Sequence, residues 1–204
     1  MVFATQAHGA CYIRFFNGAE GLAAAHISIN NDTVVKDLAP GGFSAFQKAV
    51  PGAFAVEVHI NEGNSDTVYS EIVSFMPDIA YTLALAGDAA HLDMAVFSRD
   101  INADIPRPNV RFANLIPYDT VIDIEISKTT AVWGLMYKEA AEPVTIDKGV
   151  RHLAVTIINS DSKTILEDGL AVDDAASLLA IISGSMENPA NPPQMFSAEE
   201  MPML

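Results

Sequence analysis

The chain has 204 residues, of which 50% are hydrophobic, and this is enough to build one large core or two small ones. Its 26 acidic and 11 basic residues give a formal net charge of −15. Because phosphate backbones and anionic lipids are bound by clustered lysine and arginine, this balance argues against nucleic acid and membrane surfaces as partners. Membrane insertion is not expected either, since a spanning helix takes about 20 mostly apolar residues and the densest apolar run covers only 178–182.

Residues 1–9 are predicted to form a tail without a visible signal peptide, because they lack the basic stretch and the long apolar core of such a signal. Within the tail, Val2 and Phe3 belong to a short uncharged segment, 2–5, whose composition favours an extended strand. We expect this segment to pair with an open sheet edge, either in its own sheet or in a neighbouring subunit.

Cys11 is the single cysteine of the chain. An intrachain disulfide is therefore impossible, and zinc sites built on cysteine pairs are excluded as well. Two interpretations of Cys11 remain open at this point. It is either a small buried hydrophobic residue or a thiol that links one subunit to the next in an oxidising environment.

An internal repeat is the strongest signal in the sequence. Residues 13–17 (IRFFN) match 110–114 (VRFAN), and Arg14 and Arg111 define a separation of 97 positions. The same offset pairs Gly52 with Gly149 and Gly87 with Gly184. The repeat predicts two copies of one fold that meet near the prolines at 106 and 108. We therefore assign repeat 1 to 10–105, repeat 2 to 106–187, and 188–204 to a tail or a last strand.

Within each repeat, apolar and polar residues alternate, which is typical of strands with one buried face. The alternating segments are 12–16, 26–30, 56–60, 122–126 and 153–157. Turn-forming residues separate them, and hardly any amphipathic helix is indicated. The pattern predicts an all-β protein of two tandem immunoglobulin-like antiparallel β-sandwich repeats.

One segment departs from the alternation. Residues 81–85 have one strongly apolar face, whereas the counterpart at 178–182 is apolar on both faces. A strand that is apolar on both faces is covered on both faces. We therefore expect Leu179 and Ile181 to be buried by something outside their own sandwich, which is the other unit, another subunit or the C-terminal tail.

These features resemble the bacterial DUF4397 domain. The resemblance rests on the strand with a following asparagine (13–17, 110–114), the later strand 122–126, the glycines at 52 and 149, and the YTLALAG strand at 81–87. It implies paired β-sandwich repeats of a surface or secreted protein, without assigned catalytic residues. The acidic residue that the family has after the asparagine is Asp119 in repeat 2 and Leu22 in repeat 1, and Leu178 and Leu179 replace the tyrosine–threonine pair.

No catalytic motif, metal-ligand spacing or cofactor loop is found, so we expect no enzyme, no cofactor and no metal. Glu57 and His59 share a strand face that we expect to be solvated. Loop 61–66 is rich in oxygen ligands of the kind calcium prefers, although a plain hairpin turn is the favoured interpretation.

Two further residue pairs leave alternatives open. Arg14 and Arg111 lie at equivalent outward positions, where they either fix a strand crossing through a salt bridge or carbonyl hydrogen bond, or bind a ligand. Trp133 and Tyr137 line a sugar-binding face or fill a core.

The sequence thus favours a non-enzymatic structural or assembly subunit of a bacterial surface, spore-coat or filament structure. Its expected partner is itself, as an oligomer or polymer, or another surface protein, and its expected location is the cell surface, the spore surface or outside the cell. The candidate assembly residues are Val2, Phe3, Cys11, Leu179 and Ile181. A surface module that binds glycan or protein is the alternative, and an enzyme with a site assembled from loops is a third.

Overall fold

A computed structural model describes residues 9–22, 24–59, 67–88, 91–117, 120–158 and 163–202. These residues form sixteen strands, and no helix occurs among them. The prediction of an all-β fold is therefore confirmed. The described residues accordingly contain no helix with the length and apolar character needed to cross a bilayer.

The strands divide equally between two units. In the first unit they are β1 (Cys11–Asn17), β2 (Ala25–Ile29), β3 (Asp32–Leu38), β4 (Gln47–Ala49), β5 (Gly52–His59), β6 (Thr67–Phe75), β7 (Ile79–Gly87) and β8 (Leu92–Asp100). In the second they are β9 (Asn109–Asn114), β10 (Ile122–Ile126), β11 (Thr129–Leu135), β12 (Val144–Thr145), β13 (Gly149–Ile157), β14 (Thr164–Val172), β15 (Ser177–Ser183) and β16 (Gln194–Glu199).

Each unit is a sandwich of two four-stranded sheets. The first unit has the strand orders β4-β1-β7-β8 and β3-β2-β5-β6, and the second has β12-β9-β15-β16 and β11-β10-β13-β14. The orders are identical after a shift of eight strands, so the two tandem sandwiches are confirmed. Pairing is antiparallel except that β1 runs parallel to β7 and β9 runs parallel to β15. This parallel pair recurs in both units, as expected of a duplicated fold.

The backbone repeats the same special conformations in the two units. Asn30 and Asn31 have φ angles of 49° and 69° in the hairpin turn between β2 and β3, and Ser127 and Lys128 have 51° and 70° in the equivalent turn. Two consecutive residues with positive φ are typical of a type I′ hairpin. The turn is kept although its residue types changed, so the repeat lies in the backbone as well as in the sequence.

Each sandwich has its own hydrophobic core between its two sheets. The first core is built around Phe15, Ile27, Val56, Val58 and Leu83, and the second around Phe112, Ile124, Leu153, Val155 and Ile182. These residues come from the inward faces predicted by the alternation.

A third cluster lies between the two units. It joins the outer face of the β1 and β7 sheet to the outer face of the β9 and β15 sheet, so that the molecule has four layers of sheet. Leu179 and Ile181 on β15 are 0% exposed in this cluster, where they meet Phe16, Ala84 and Phe97. Their cover is thus the other unit. The same packing buries the second face of β1, which alternation alone would place in solvent.

Candidate functional site

The interface between the units is built by equivalent arginines. Arg14 donates from Nη1 to the carbonyl oxygen of Glu199 at 2.6 Å, and Arg111 donates from Nη1 to the carbonyl oxygen of Ser98 at 2.8 Å. Ser98 and Glu199 hold equivalent positions, because they pair with Tyr81 and Leu178, which the repeat aligns. Each unit therefore gives an arginine to the last strand of the other, a two-fold exchange of contacts like that of a symmetric dimer.

Both arginines differ from the sequence prediction in burial. They were expected on an outward face, yet Arg14 is 3% exposed, because the neighbouring unit covers that face. Of the two interpretations left open, carbonyl hydrogen bonds are present for both residues, and a salt bridge at 3.1 Å joins Arg111 to Glu200. Strand alternation reports which side of a sheet a residue occupies, but it does not report what packs against that side.

Glu200 is the acidic centre of the interface. Its side chain is 4% exposed and accepts hydrogen bonds from Arg99 and Arg111, one from each unit. Burial is the main cause that lowers the pKa of both arginines. One carboxylate thus serves two cations, of which Arg99 is buried and Arg111 is partly buried.

The asparagine of the repeat motif has a structural role in each unit. Asn114 is fully buried and donates to the carbonyl oxygens of Thr120 and Leu135 at 2.8 and 3.1 Å, while its own oxygen accepts from the amide of Ile116 at 2.9 Å. Asn17 makes the same three kinds of hydrogen bond in the first unit. The motif therefore fastens a loop and a hairpin to the central strand.

The face that carries Glu57 and His59 is less solvated than predicted. His59 is 1% exposed, and its Nε2 lies 2.8 Å from Oγ of Ser28, which donates to Glu57 at 3.1 Å. The alternation placed these residues on the correct face, but polar neighbours cover them there. Within the part of the chain that the structure describes, no three His, Cys, Asp or Glu side chains form a group suited to a metal.

The predicted assembly residues fall in different places. Cys11 is 0% exposed in the first core, its Sγ lies 3.5 Å from the carbonyl oxygen of Ala49, and burial raises the pKa of its thiol. Leu179 and Ile181 lie in the interface within the chain. Val2 and Phe3 lie outside the described residues, as do loop 61–66 and Asp119. Of the three described residues, the structure thus places Cys11 in the first core and Leu179 and Ile181 between the units.

The two aromatic residues proposed for a sugar-binding face are separated by their surroundings. Trp133 on β11 is 73% exposed, whereas Tyr137 packs against the cluster between the units. The pair does not form one exposed face, and only Trp133 remains open to a ligand.

The clearest asymmetry between the units lies at the edges of their outer sheets. These are the sheets β3-β2-β5-β6 and β11-β10-β13-β14, which do not take part in the contact between the units. The equivalent edge strands β6 and β14 each have nine residues. The middle of β14 carries Glu167 and Asp168, and the Asp168 carboxylate accepts a hydrogen bond from the next backbone amide at 2.7 Å. In β6 the position equivalent to Glu167 is a serine and the position equivalent to Asp168 is Glu71, and the residue after Glu71, Ile72, is 74% exposed. Comparing the two repeats residue by residue could have found this difference.

The edge of β6 is also regular and free. Its register against β5 is continuous from Gly52 with Phe75 to Val58 with Tyr69 and shifts once beyond that point, at His59, and no described residue bonds to the backbone on its other side. The uncharged edge strand β11 pairs with β10 through two register shifts, which bend an edge and disfavour further pairing. We call the free side of β6 the β6 edge.

The fold and the interface define a tandem β-sandwich protein whose two units pack as a pseudo-symmetric pair. A family described as a domain of unknown function, DUF4397, matches residues 11–106. The first unit is therefore a DUF4397 domain, and the second repeats its strand order and register. No curated protein matches the chain.

Proposed function

We propose that the protein is a non-enzymatic structural subunit of a bacterial surface, spore-coat or filament structure, and that copies associate through the β6 edge. The observation that carries the proposal is the unprotected character of this edge. It is long and regular, has a single charged residue, Glu71, and exposes Ile72 and Val68. Unblocked edge strands of this kind are templates for pairing with another chain.

The proposed occupant of the β6 edge is segment 2–5 of a neighbouring copy. This segment is uncharged, and its Val2 and Phe3 side chains favour an extended strand. An edge and a separate segment are different surfaces, so their pairing is heterologous and leads to rings or open filaments rather than closed dimers. Since every copy carries a net charge of −15, repulsion opposes association at low salt, and screening by salt is expected to strengthen it.

A charge placed on the β6 edge tests the proposal. Ile72→Lys puts an ammonium group on the edge strand, and Val150→Lys is the matched control, because Val150 is 75% exposed on the equivalent sheet but lies on an inner strand. Light scattering is expected to show particles larger than one chain for the unmodified protein and for Val150→Lys, and single chains for Ile72→Lys. Equal particle sizes for both variants would contradict the role of the edge.

Removal of residues 1–8 tests the occupant separately. If segment 2–5 fills the β6 edge, the shortened chain is expected to behave like Ile72→Lys in light scattering. If large particles persist after the removal but are absent for Ile72→Lys, assembly through the β6 edge is supported and segment 2–5 is rejected as its occupant.

Glycan or protein binding at a surface is the second candidate function, and one observation favours it. Trp133 exposes 73% of its surface on β11, where its ring is available to stack on the apolar face of a sugar. A glycan array with the unmodified protein and with Trp133→Ala separates this candidate from assembly. A bound glycan that is lost in the variant supports it, and an array without binding rejects it.

A further inference from the structure

A groove of about 500 Å³ opens where the two units meet at one side of the interface. Its walls come from β1, from β4 with the segment that leads into it, and from the end of β16 with the segment that follows it. The side chains that give it chemical character are Tyr12, Arg14, Phe43, Phe46, Lys48, Glu199 and Met201. We call it the Arg14 groove.

Arg14 lies at the base of this groove with an incomplete set of partners. Its Nε donates to Oγ1 of Thr82 at 2.9 Å, and its Nη1 donates to the carbonyl oxygen of Glu199. Phe43 and Phe46 flank the guanidinium, with ring centroids 4.7 and 4.5 Å from its Cζ. The Nη2 group is buried and has no hydrogen-bond partner among the residues that the structure describes. A buried cationic donor without an acceptor costs free energy, so an acceptor at this position would be stabilising.

The environment of Arg111, the equivalent arginine of the second unit, shows which partner Arg14 lacks. Arg111 has the Glu200 carboxylate 3.1 Å from its Nη1. The repeat places Arg99, a second cation, where a carboxylate for Arg14 would be needed, because Arg99 follows Ser98 as Glu200 follows Glu199. The Glu199 carboxylate interacts electrostatically with Arg14 and raises its pKa, although burial lowers that pKa more, and it accepts from the backbone amide of Ser177 at 3.3 Å. The first unit thus lacks the carboxylate that is hydrogen-bonded to its arginine in the second unit.

We propose that the Arg14 groove binds a ligand that carries a carboxylate on an apolar body. The carboxylate accepts from Nη2 of Arg14 and attracts the exposed ammonium of Lys48, and the apolar body contacts Phe43, Phe46 and Met201. Because Nη2 is buried, the proposal includes rotation of the Phe46 ring away from the guanidinium; this ring is only partly buried and precedes β4 in a segment without regular strand structure. The ligand is either a free organic acid or the terminal carboxylate of a peptide, since both offer the same group.

Calorimetric titration of the full chain with 3-phenylpropionate tests the proposal, with 3-phenylpropanol as the probe that lacks the carboxylate. We expect the acid to bind and the alcohol to bind at least about tenfold more weakly, which corresponds to ~1.4 kcal/mol. Lys48→Ala and Phe46→Ala are expected to weaken binding of the acid several-fold. Lys148→Ala, at an exposed lysine of the second unit, is expected to leave it unchanged.

A tetrapeptide that ends in phenylalanine, compared with its C-terminal amide, distinguishes the two sources of the carboxylate. Tighter binding of the free-acid peptide than of 3-phenylpropionate assigns the groove to peptide ends, and the reverse order assigns it to small acids. Because Lys48 and Phe46 lie at the surface, their variants keep the test valid even if replacement of Arg14 unfolds the protein. The proposal is overturned if no acid binds, if acid and alcohol bind equally, or if Lys148→Ala weakens binding as much as Lys48→Ala.

Discussion

Asn17 and Asn114 show how single buried polar groups hold each sandwich together. Each side chain bonds one carbonyl oxygen and one amide of the following loop and one carbonyl oxygen at the end of a hairpin strand. Buried backbone groups that lose such a partner keep the full cost of their desolvation. The recurrence of the asparagine in both repeats therefore has a structural cause.

Replacement of Asn114 is expected to be strongly destabilising. Asn114→Ala leaves two carbonyl oxygens and one amide without partners, and we expect a loss of about 2–3 kcal/mol in the free energy of unfolding. Asn102→Ala, at an exposed position, is the control, with an expected change within about 0.5 kcal/mol. Urea unfolding of both variants measures the difference. Equal stabilities would show that Asn114 does not hold the loop.

Cys11 is expected to be protected from reagents in the folded state. Its burial raises the pKa of the thiol, so the reactive thiolate is scarce at neutral pH. Because the folded pKa is the higher one, the unfolding free energy falls as pH rises above the pKa of a free thiol and is unaffected below it. We expect slow modification by a disulfide reagent in buffer and rapid modification in denaturant. Rapid modification in buffer would instead favour the predicted link between subunits.

At the scale of the strands, the two repeats contribute side chains of different size to the interface between them. On β7 the face toward the other unit carries Thr82, Ala84 and Ala86, whereas β15 presents Leu179 and Ile181. Large side chains on one strand fill the space above small side chains on the other, which gives dense packing. The interface is thus complementary in shape although its backbone contacts are pseudo-symmetric.

This difference explains which strand properties the sequence could predict. The apolar residues on both faces of β15 indicated that both faces are buried, because exposure of leucine and isoleucine side chains to water costs free energy. The small residues of β7 gave no such signal, although all of them are buried. The burial of Arg14 could not be predicted for a related reason. A charged residue indicates a solvent-exposed position unless it is known that another unit supplies its hydrogen-bond acceptors.

The interface strands offer a direct test of the packing. Leu179→Ala is expected to cost about 2–5 kcal/mol, because it leaves a cavity between the units. Val150→Ala, at an exposed position, should cost little. Calorimetry is expected to show a lower melting temperature for Leu179→Ala and an unchanged one for Val150→Ala. A melting temperature that stays the same in both variants would contradict burial of Leu179 between the units.

At the scale of the whole molecule, the pseudo-symmetric interface decides which surfaces remain for partners. The inner sheets of the two units cover each other, so the outer sheets and their edges face outward. Duplication would leave both long edges alike, yet β14 carries two adjacent acidic residues where β6 has only Glu71, next to the exposed Ile72. The repeat could be predicted from the sequence, whereas the free edge emerged only once strand order was known. The proposed assembly through one edge per chain rests on that difference.

Hydrogen exchange measured across a concentration series tests this claim most directly. As the protein is concentrated, the β6 amides that face away from β5 are expected to become protected, while those on the free side of β14 continue to exchange rapidly. The equivalent strand of the same chain thus serves as the internal control. Protection that rises equally in β6 and β14, or in neither strand while particles still grow, would contradict assembly through the β6 edge.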